Sequence, residues 1–243
     1  MDSARISELL QPFLAASGQD WSSPAASSPK GTAPLSAEQL NNISIYIDLL
    51  LRWNVRVNLT AIRQPEEIVT RHFGESLFAA RHLLPTPQLD PSTPTGRLID
   101  IGSGAGFPGL AIKIWAPDIH GTLIESNHKK ATFLREVIRR LTLINIDVFP
   151  GRAEDFSAPA ELVTLRAVER FELILPTAVR LVADDGRLAL LIGESQVQRA
   201  RELAPELQWS EPLPIPLSSN RVLFIGKRES EGGRVSRNEN RTG

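Results

Sequence analysis

RLIDIGSGAGFPG, Arg97 to Gly109, sets a short apolar strand and an aspartate against four glycines, at 102, 104, 106 and 109. A strand that runs through a glycine-rich turn into an apolar helix is the opening unit of a doubly wound α/β sheet. Ligands of such sheets sit beyond the carboxyl ends of the strands, against that first turn. Gly104, Gly106 and Gly109 also satisfy G-x-G-x-x-G, which by itself fits a nicotinamide or flavin dinucleotide equally well. Downstream the pattern repeats. HGTLIES (120–126), NIDVF (145–149), ELVTL (161–165), GRLALLIG (186–193) and RVLFIGK (221–227) read as strands. Amphipathic helices over Asn127–Leu141 and Phe171–Val182 fall between them. Strands alternating with helices of this length predict a parallel sheet covered on both faces.

Upstream of Arg97 the period is helical. Ile6, Leu9, Leu10 and Phe13 mark a first helix over Ser3–Ala16. Ser36 and Gln39 form a capping-box pattern ahead of Leu40, Ile43, Ile47 and Leu50, and Pro65 opens a third helix burying Val69, Phe73, Leu77, Ala80 and Leu84. Gly18–Ser36 has linker composition, Leu83–Gly96 carries four prolines, and the chain beyond Arg228 has too little apolar content to fold. The expected organisation is therefore an N-terminal helix and linker (1–35), a helical substrate-binding subdomain (36–96), the α/β domain (97–228) and a disordered tail (229–243).

Composition removes several classes of function. The 243 residues include no cysteine, so disulfides, thiolate metal sites and cysteine nucleophiles are excluded. The four histidines have no metal-ligand spacing, and no metal is expected. No apolar run reaches the roughly 20 residues that cross a bilayer, and the start has no signal-peptide pattern, so a cytoplasmic protein without membrane contact is expected. The net charge of -1 exerts no global pull on nucleic acid, although 22 of the 27 basic residues are arginine.

Asp100 separates the candidate ligands. A carboxylate beside the turn would repel a diphosphate seated on the helix N-terminus, whereas it would pair with an ammonium. S-adenosylmethionine has such an amino-acid end, its carboxylate being suited to the loop amides around Gly102 and Gly104. Glu125, ending the second strand, is placed to accept both ribose hydroxyls. In GRAEDF (151–156), Ala153 and Glu154 could bracket an adenine. In LRAV (165–168), Arg166 falls at the crevice beside the transferable methyl, or else in an ion pair with Glu169 or Glu154. His72 and Glu75 lie three apart, off the apolar stripe of their helix, and read as a solvated pair ahead of a substrate contact. The basic run from Lys129 to Arg140 likewise reads as a solvated face.

The acceptor is narrowed by what is missing. Pyrimidine C5 methylation commonly uses a cysteine, exocyclic amine methylation an Asn/Asp-Pro-Pro-aromatic turn where this chain has LRAV, and ribose methylation a perturbed lysine, of which there are few candidates. Acceptors that are already nucleophilic remain, guanine N7 being one, a ring nitrogen whose lone pair attacks without losing a proton. A small-metabolite methyltransferase and a dinucleotide-dependent oxidoreductase stay open as alternatives.

NVRVNLTAIRQPEEIVTRHFGESL (54–77), LIDIGSGAGFPGLAIKI, GRAEDF and LRAV together resemble the bacterial RsmG (GidB) family, the likeness running from about Asn42 to Lys227. The resemblance implies a class I S-adenosylmethionine-dependent methyltransferase, Rossmann-like, with a mostly parallel seven-stranded sheet and an N-terminal helical extension. It implies transfer to N7 of a guanine in a loop of small-subunit (16S) ribosomal RNA, naked or in the assembled subunit, by a monomer. By motif position the cofactor contacts fall on Gly102, Phe107, Ala153, Glu154 and Arg166, with Glu125 as ribose acid and Arg166 as the catalytic residue. Arg52, Arg56, Asn58, Arg71, His72 and Glu75 are the expected substrate contacts, Arg63 being a further cation for phosphate. Two departures stand out: Glu75-Ser76 replaces the usual Asp-Ser, and Ile192-Gly193 the usual Lys-Gly.

Overall fold

The computed structural model describes residues 1–15, 35–84, 96–166 and 170–230. The expected linker except Leu35 and Ser36, the proline-rich break from 85 to 95, residues 167–169 and the chain beyond 230 lie outside the described residues. In order, the chain forms α1 (Ser3–Leu14), α2 (Ala37–Val57), α3 (Pro65–Ile68), a π-helical segment Val69–Gly74, and α4 (Glu75–Leu83). There follow β1 (Arg97–Ile101), α5 (Gly109–Trp115), β2 (His120–Ile124), α6 (His128–Arg140), β3 (Ile146–Phe149), β4 (Ala160–Arg166), α7 (Phe171–Arg180) and β5 (Val182–Gly193). The last elements are α8 (Val197–Leu203), β6 (Gln208–Trp209), β7 (Leu213–Pro214) and β8 (Arg221–Lys227).

The sheet order is β3-β2-β1-β4-β5-β8-β6, with β7 pairing β8. β1 to β5 run parallel, and β8 is antiparallel to β5, β6 and β7. Eight strands replace the seven expected, because β6 and β7 are two-residue strands too short to leave a period in the sequence. The strand order reverses between β1 and β4, so the turn after β1 opens at the switch point where a ligand crevice forms.

The helical third is not a separate body. Ile6, Leu10, Phe13, Ile43, Tyr46, Ile47, Phe73 and Leu77 share one core with Leu98 and Leu123 of the sheet and with Leu110 of α5 and Phe133 of α6. The boundary near residue 96 therefore divides two sequence periods and does not divide the packing. The capping box at Ser36 and Gln39 forms as expected, and Gln39 Nε2 goes on to donate to the carbonyls of Ile114 and Trp115 at 2.9 and 3.2 Å, closing the end of α5. α1 is equally integral: a Cβ on Gly74 would stand 2.5 Å from Phe13 Cε2, so the absence of a side chain there admits the ring. Arg5 pairs with Glu66 at 2.9 Å, and Arg81 donates to the carbonyl of Ala15 at 2.5 Å. Burial of Ile6, Leu10 and Phe13 is worth roughly 1.5–3 kcal/mol each, which makes α1 part of the fold and ties it to the π-helical segment.

Candidate functional site

A cleft of about 340 Å³ opens at the carboxyl ends of β1 and β2, lined by Gly102, Glu125, Arg152, Ala153, Glu154 and Ile174 among others. Its volume is within the range of small-molecule sites. Gly102 and Gly104 adopt φ of 66° and 56°, a left-handed turn that glycine makes without strain, and Gly102 lines the cleft. Glu125, buried at 7% exposure, accepts from Gly104 N and Asn127 N, each at 2.8 Å. An ionised carboxylate has about four lone-pair sites, so two remain for a diol. The GRAEDF segment is held from behind by Arg180, which donates to the carbonyls of Ala153, Glu154 and Phe156 at 3.3, 3.3 and 2.9 Å. A nucleoside would thus be clasped by Glu125 on its ribose and by Ala153 and Glu154 on its base, and the residues present fit S-adenosylmethionine.

Asp100 departs from expectation. It is fully buried and faces the interior: Oδ1 accepts from Thr164 Oγ1 at 2.7 Å, and Oδ2 from Gly109 N at 3.2 Å. Gly109 permits this approach, since a Cβ there would lie 2.7 Å from Asp100 Oδ2 and 2.5 Å from Leu123 Cδ2. Direct pairing of this carboxylate with a ligand ammonium does not fit the geometry, and the cofactor reading rests on Glu125 and the cleft in its place. Burial pushes the Asp100 carboxyl up to about 6, against the hydrogen bonds from Thr164, Ser103 and Gly109 and the charge of Arg166. The fold therefore favours the protonated form. Its stability contribution is complete below the ordinary value of 3.8 and is lost as pH rises through about 6. At 1.36 kcal/mol per unit the loss is about 3 kcal/mol. Asp100→Asn mimics the neutral acid, accepting from Gly109 and donating to Thr164, whose hydroxyl can turn to the Ile99 carbonyl 3.4 Å away. Urea unfolding from pH 4 to 8 should show the wild type losing stability relative to this variant by that amount, and parallel curves would refute the assignment.

Arg166, at the end of β4, is not among the cleft-lining residues but turns toward the helices. It donates to Glu75 Oε2 at 2.9 Å, to the Arg71 carbonyl at 2.6 Å, and to His72 Nδ1 at 3.1 Å. Glu75 Oε2 also lies 3.1 Å from Arg221 Nε, and its Oε1 3.5 Å from Arg71 Nε. One buried carboxylate thus gathers three guanidiniums. Since Arg166 can only donate, His72 Nδ1 accepts, and the ring proton on Nε2 goes to Thr60 Oγ1 at 2.8 Å. Burial, then the charges of Arg166, Arg71 and Arg221, push His72 down to about 3, so the ring is neutral at working pH. Burial likewise lowers Arg166, opposed by Glu75.

His72 and Glu75 are consequently not the solvated pair their spacing suggested. The π-helical turn between α3 and α4 displaces them from the face an ideal helix would give, and the partner of Arg166 is Glu75, neither Glu154 nor Glu169; the latter lies outside the described residues. Phe107, in the glycine loop, is stacked between His72 at 4.8 Å and Tyr46 at 5.3 Å and is not among the residues lining the cleft. Arg52, Arg56, Asn58, Arg63 and Arg71 are exposed, Asn58 capping α2 with φ of 51°. Sequence reasoning missed Tyr46, Thr60, Thr164, Arg180 and Arg221. Arg221 carried a signal, being the arginine that opens the last strand, and it stands opposite Gly193, beside the position where lysine gives way to Ile192. Ile192 itself is buried in the core on the α7 side. Among the described residues no cluster could hold a metal, and no helix is long and apolar enough to cross a membrane.

Known proteins resemble this chain in fold and in sequence. A solved structure of a ribosomal protein L11 methylase from Lactobacillus delbrueckii subsp. bulgaricus superposes with a TM-score of 0.53 at 12% identity over 66% of this chain and 79% of that one, a likeness of fold alone. The curated Ribosomal RNA small subunit methyltransferase G of Xylella fastidiosa (strain 9a5c) is 38% identical over 188 residues, 75% of this chain and 84% of the relative. That of Methylobacillus flagellatus is 37% identical over 199 residues, 80% and 92% of the two chains. The family described as GidB, rRNA small subunit methyltransferase G, matches residues 39–220, a span holding the cleft and both Glu75 and Arg166. The chain belongs to the ribosomal RNA small subunit methyltransferase G family.

Proposed function

We propose that this protein transfers the methyl group of S-adenosylmethionine to N7 of a guanine in a loop of small-subunit (16S) ribosomal RNA. The observation that carries this is the family match across residues 39–220, which takes in the nucleoside cleft and the helical elements together. The cofactor, when bound, supplies a methyl group already activated by its sulfonium. Glu125 would hold the ribose and Ala153 and Glu154 the adenine, with the turn at Gly102 bounding the amino-acid end. N7 attacks with a free lone pair and releases no proton. A neutral His72 and a set of arginines, with no free general base among them, suit such an acceptor, and the rate would come from holding the nitrogen in line with the methyl.

In an A-form duplex N7 faces a deep, narrow groove, so the target base must lie in a loop or leave its stack. The exposed arginines 52, 56, 63 and 71 supply cations for the flanking phosphates. Arg166, expected from its motif as the catalytic residue, is held by Glu75 and His72 at the end of β4 and would act by bracing the helical elements against the strand end. Acids in the same segment offset much of that charge, which favours the assembled small subunit over naked RNA as substrate. The protein would act in the cytoplasm as a monomer. Labelled cofactor incubated with small subunits from a strain lacking the modification should yield label in N7-methylguanine, with less on protein-free RNA. Label elsewhere in the RNA would reject the N7 assignment, and transfer indifferent to RNA would favour a small-metabolite acceptor.

A further inference from the structure

We propose that Tyr46 is a positioning residue for the cofactor loop, holding the far side of the turn from α2. The inference rests on the reading of the cleft as the S-adenosylmethionine site. The loop from Gly102 to Pro108 has three glycines at positive φ and so has little stiffness of its own. Its sheet side is tied down by Ser103 N to the Ile124 carbonyl at 3.0 Å, Ser103 Oγ to the Asp100 carbonyl at 2.9 Å, and Gly104 N to Glu125 at 2.8 Å. The opposite side is held from α2. Tyr46 Oη donates to the Ala105 carbonyl at 2.5 Å, 59 residues away in sequence, and the ring lies 5.3 Å from Phe107 at an interplanar angle of 7°. Gly106 is shaped by the same contact, because the Tyr46 hydroxyl occupies the place its Cβ would take.

Tyr46 is wholly buried, and burial, with the charge of Asp100 adding to it, pushes its phenol well above the ordinary value. The hydroxyl is therefore a donor with one acceptor, and that acceptor belongs to the turn that begins at the cleft-lining Gly102 and gives its Gly104 amide to Glu125. A loop clasped on both sides is ordered before the ligand arrives, so binding need not spend free energy on ordering it. A tyrosine that only filled the core would contribute to stability and leave affinity alone.

Tyr46→Phe separates the two roles, since it keeps the ring and its stacking and removes only the hydroxyl. Titration calorimetry with S-adenosylhomocysteine should show about 10-fold weaker binding, and the KM for the cofactor should rise by a similar factor while kcat stays within twofold. Leu10→Ala, a core truncation in α1 away from the loop, should destabilise the protein and leave both constants within twofold. Amide exchange over residues 103–107 should be faster in the unliganded Tyr46→Phe protein, a readout available even if its affinity is too weak to titrate. An unchanged Kd with unchanged exchange overturns the proposal, as does an equal loss of affinity in Leu10→Ala. Failure of the wild type to bind the probe overturns the cofactor reading itself.

Discussion

Glu75→Ala is expected to destabilise the protein by about 3–5 kcal/mol, the usual cost of stripping one partner from a buried ion pair. The Glu75 side chain is 2% exposed and that of Arg166 9%, and Glu75 Oε2 is shared with Arg221. Without the carboxylate, guanidiniums from β4 and β8 would face each other with no counter-ion. Arginine cannot escape by losing its proton. Arg71, half-exposed, could swing into solvent, but Arg166 could not without abandoning His72 and the end of its strand. Glu75→Gln keeps the shape and loses the charge, so it should cost nearly as much, while Glu75→Asp should retain most of the stability. Urea unfolding of the three variants reads this ordering directly. An alanine variant within 1 kcal/mol of wild type would mean that the arginines are not held by this acid.

Glu125→Ala should weaken S-adenosylhomocysteine binding about 100-fold. Hydrogen bonds to a charged group are worth about 1.5–3 kcal/mol each, and the residue is expected to accept two from the ribose while holding Gly104 N and Asn127 N in place. Removal thus strikes both the ligand contact and the loop that frames it, and 100-fold corresponds to about 2.7 kcal/mol. Glu125→Gln has one acceptor oxygen for two amides and two hydroxyls, and its affinity should fall between the two. Calorimetric titration decides, and an alanine variant within threefold of wild type would displace Glu125 from the site.

The fold was largely legible because its signals are local. Alternating apolar strands and a glycine turn after Asp100 need no distant partner to be recognised, and the boundaries of β1, α6 and β8 fall where periodicity puts them. The position of Glu125 at the cleft was legible for the same reason, since it directly follows a strand. Asp100 was misread because proximity in sequence does not say on which side of the strand a carboxylate will lie; Thr164, 64 residues away, decides that. His72 and Glu75 were misread because a π-helical turn shifts the face of every residue after it, and no composition marks its presence. Arg166 was placed at the right strand end but given the wrong partners, its true ones lying 91 to 95 residues upstream. Tyr46 looked like one more core position of α2, for a hydrophobic period has no way to report what a hydroxyl touches.

The strand that delivers Arg221 is the last among the described residues yet is hydrogen-bonded between β5 and β6, inside the edge of the sheet. A chain emerging from a ribosome can therefore present β1 to β5 and the residues that line the cleft while Glu75 still lacks one of its cations. The cluster closes only once β8 is paired, so a chain stopped before Arg221 would leave Glu75 with one cation fewer.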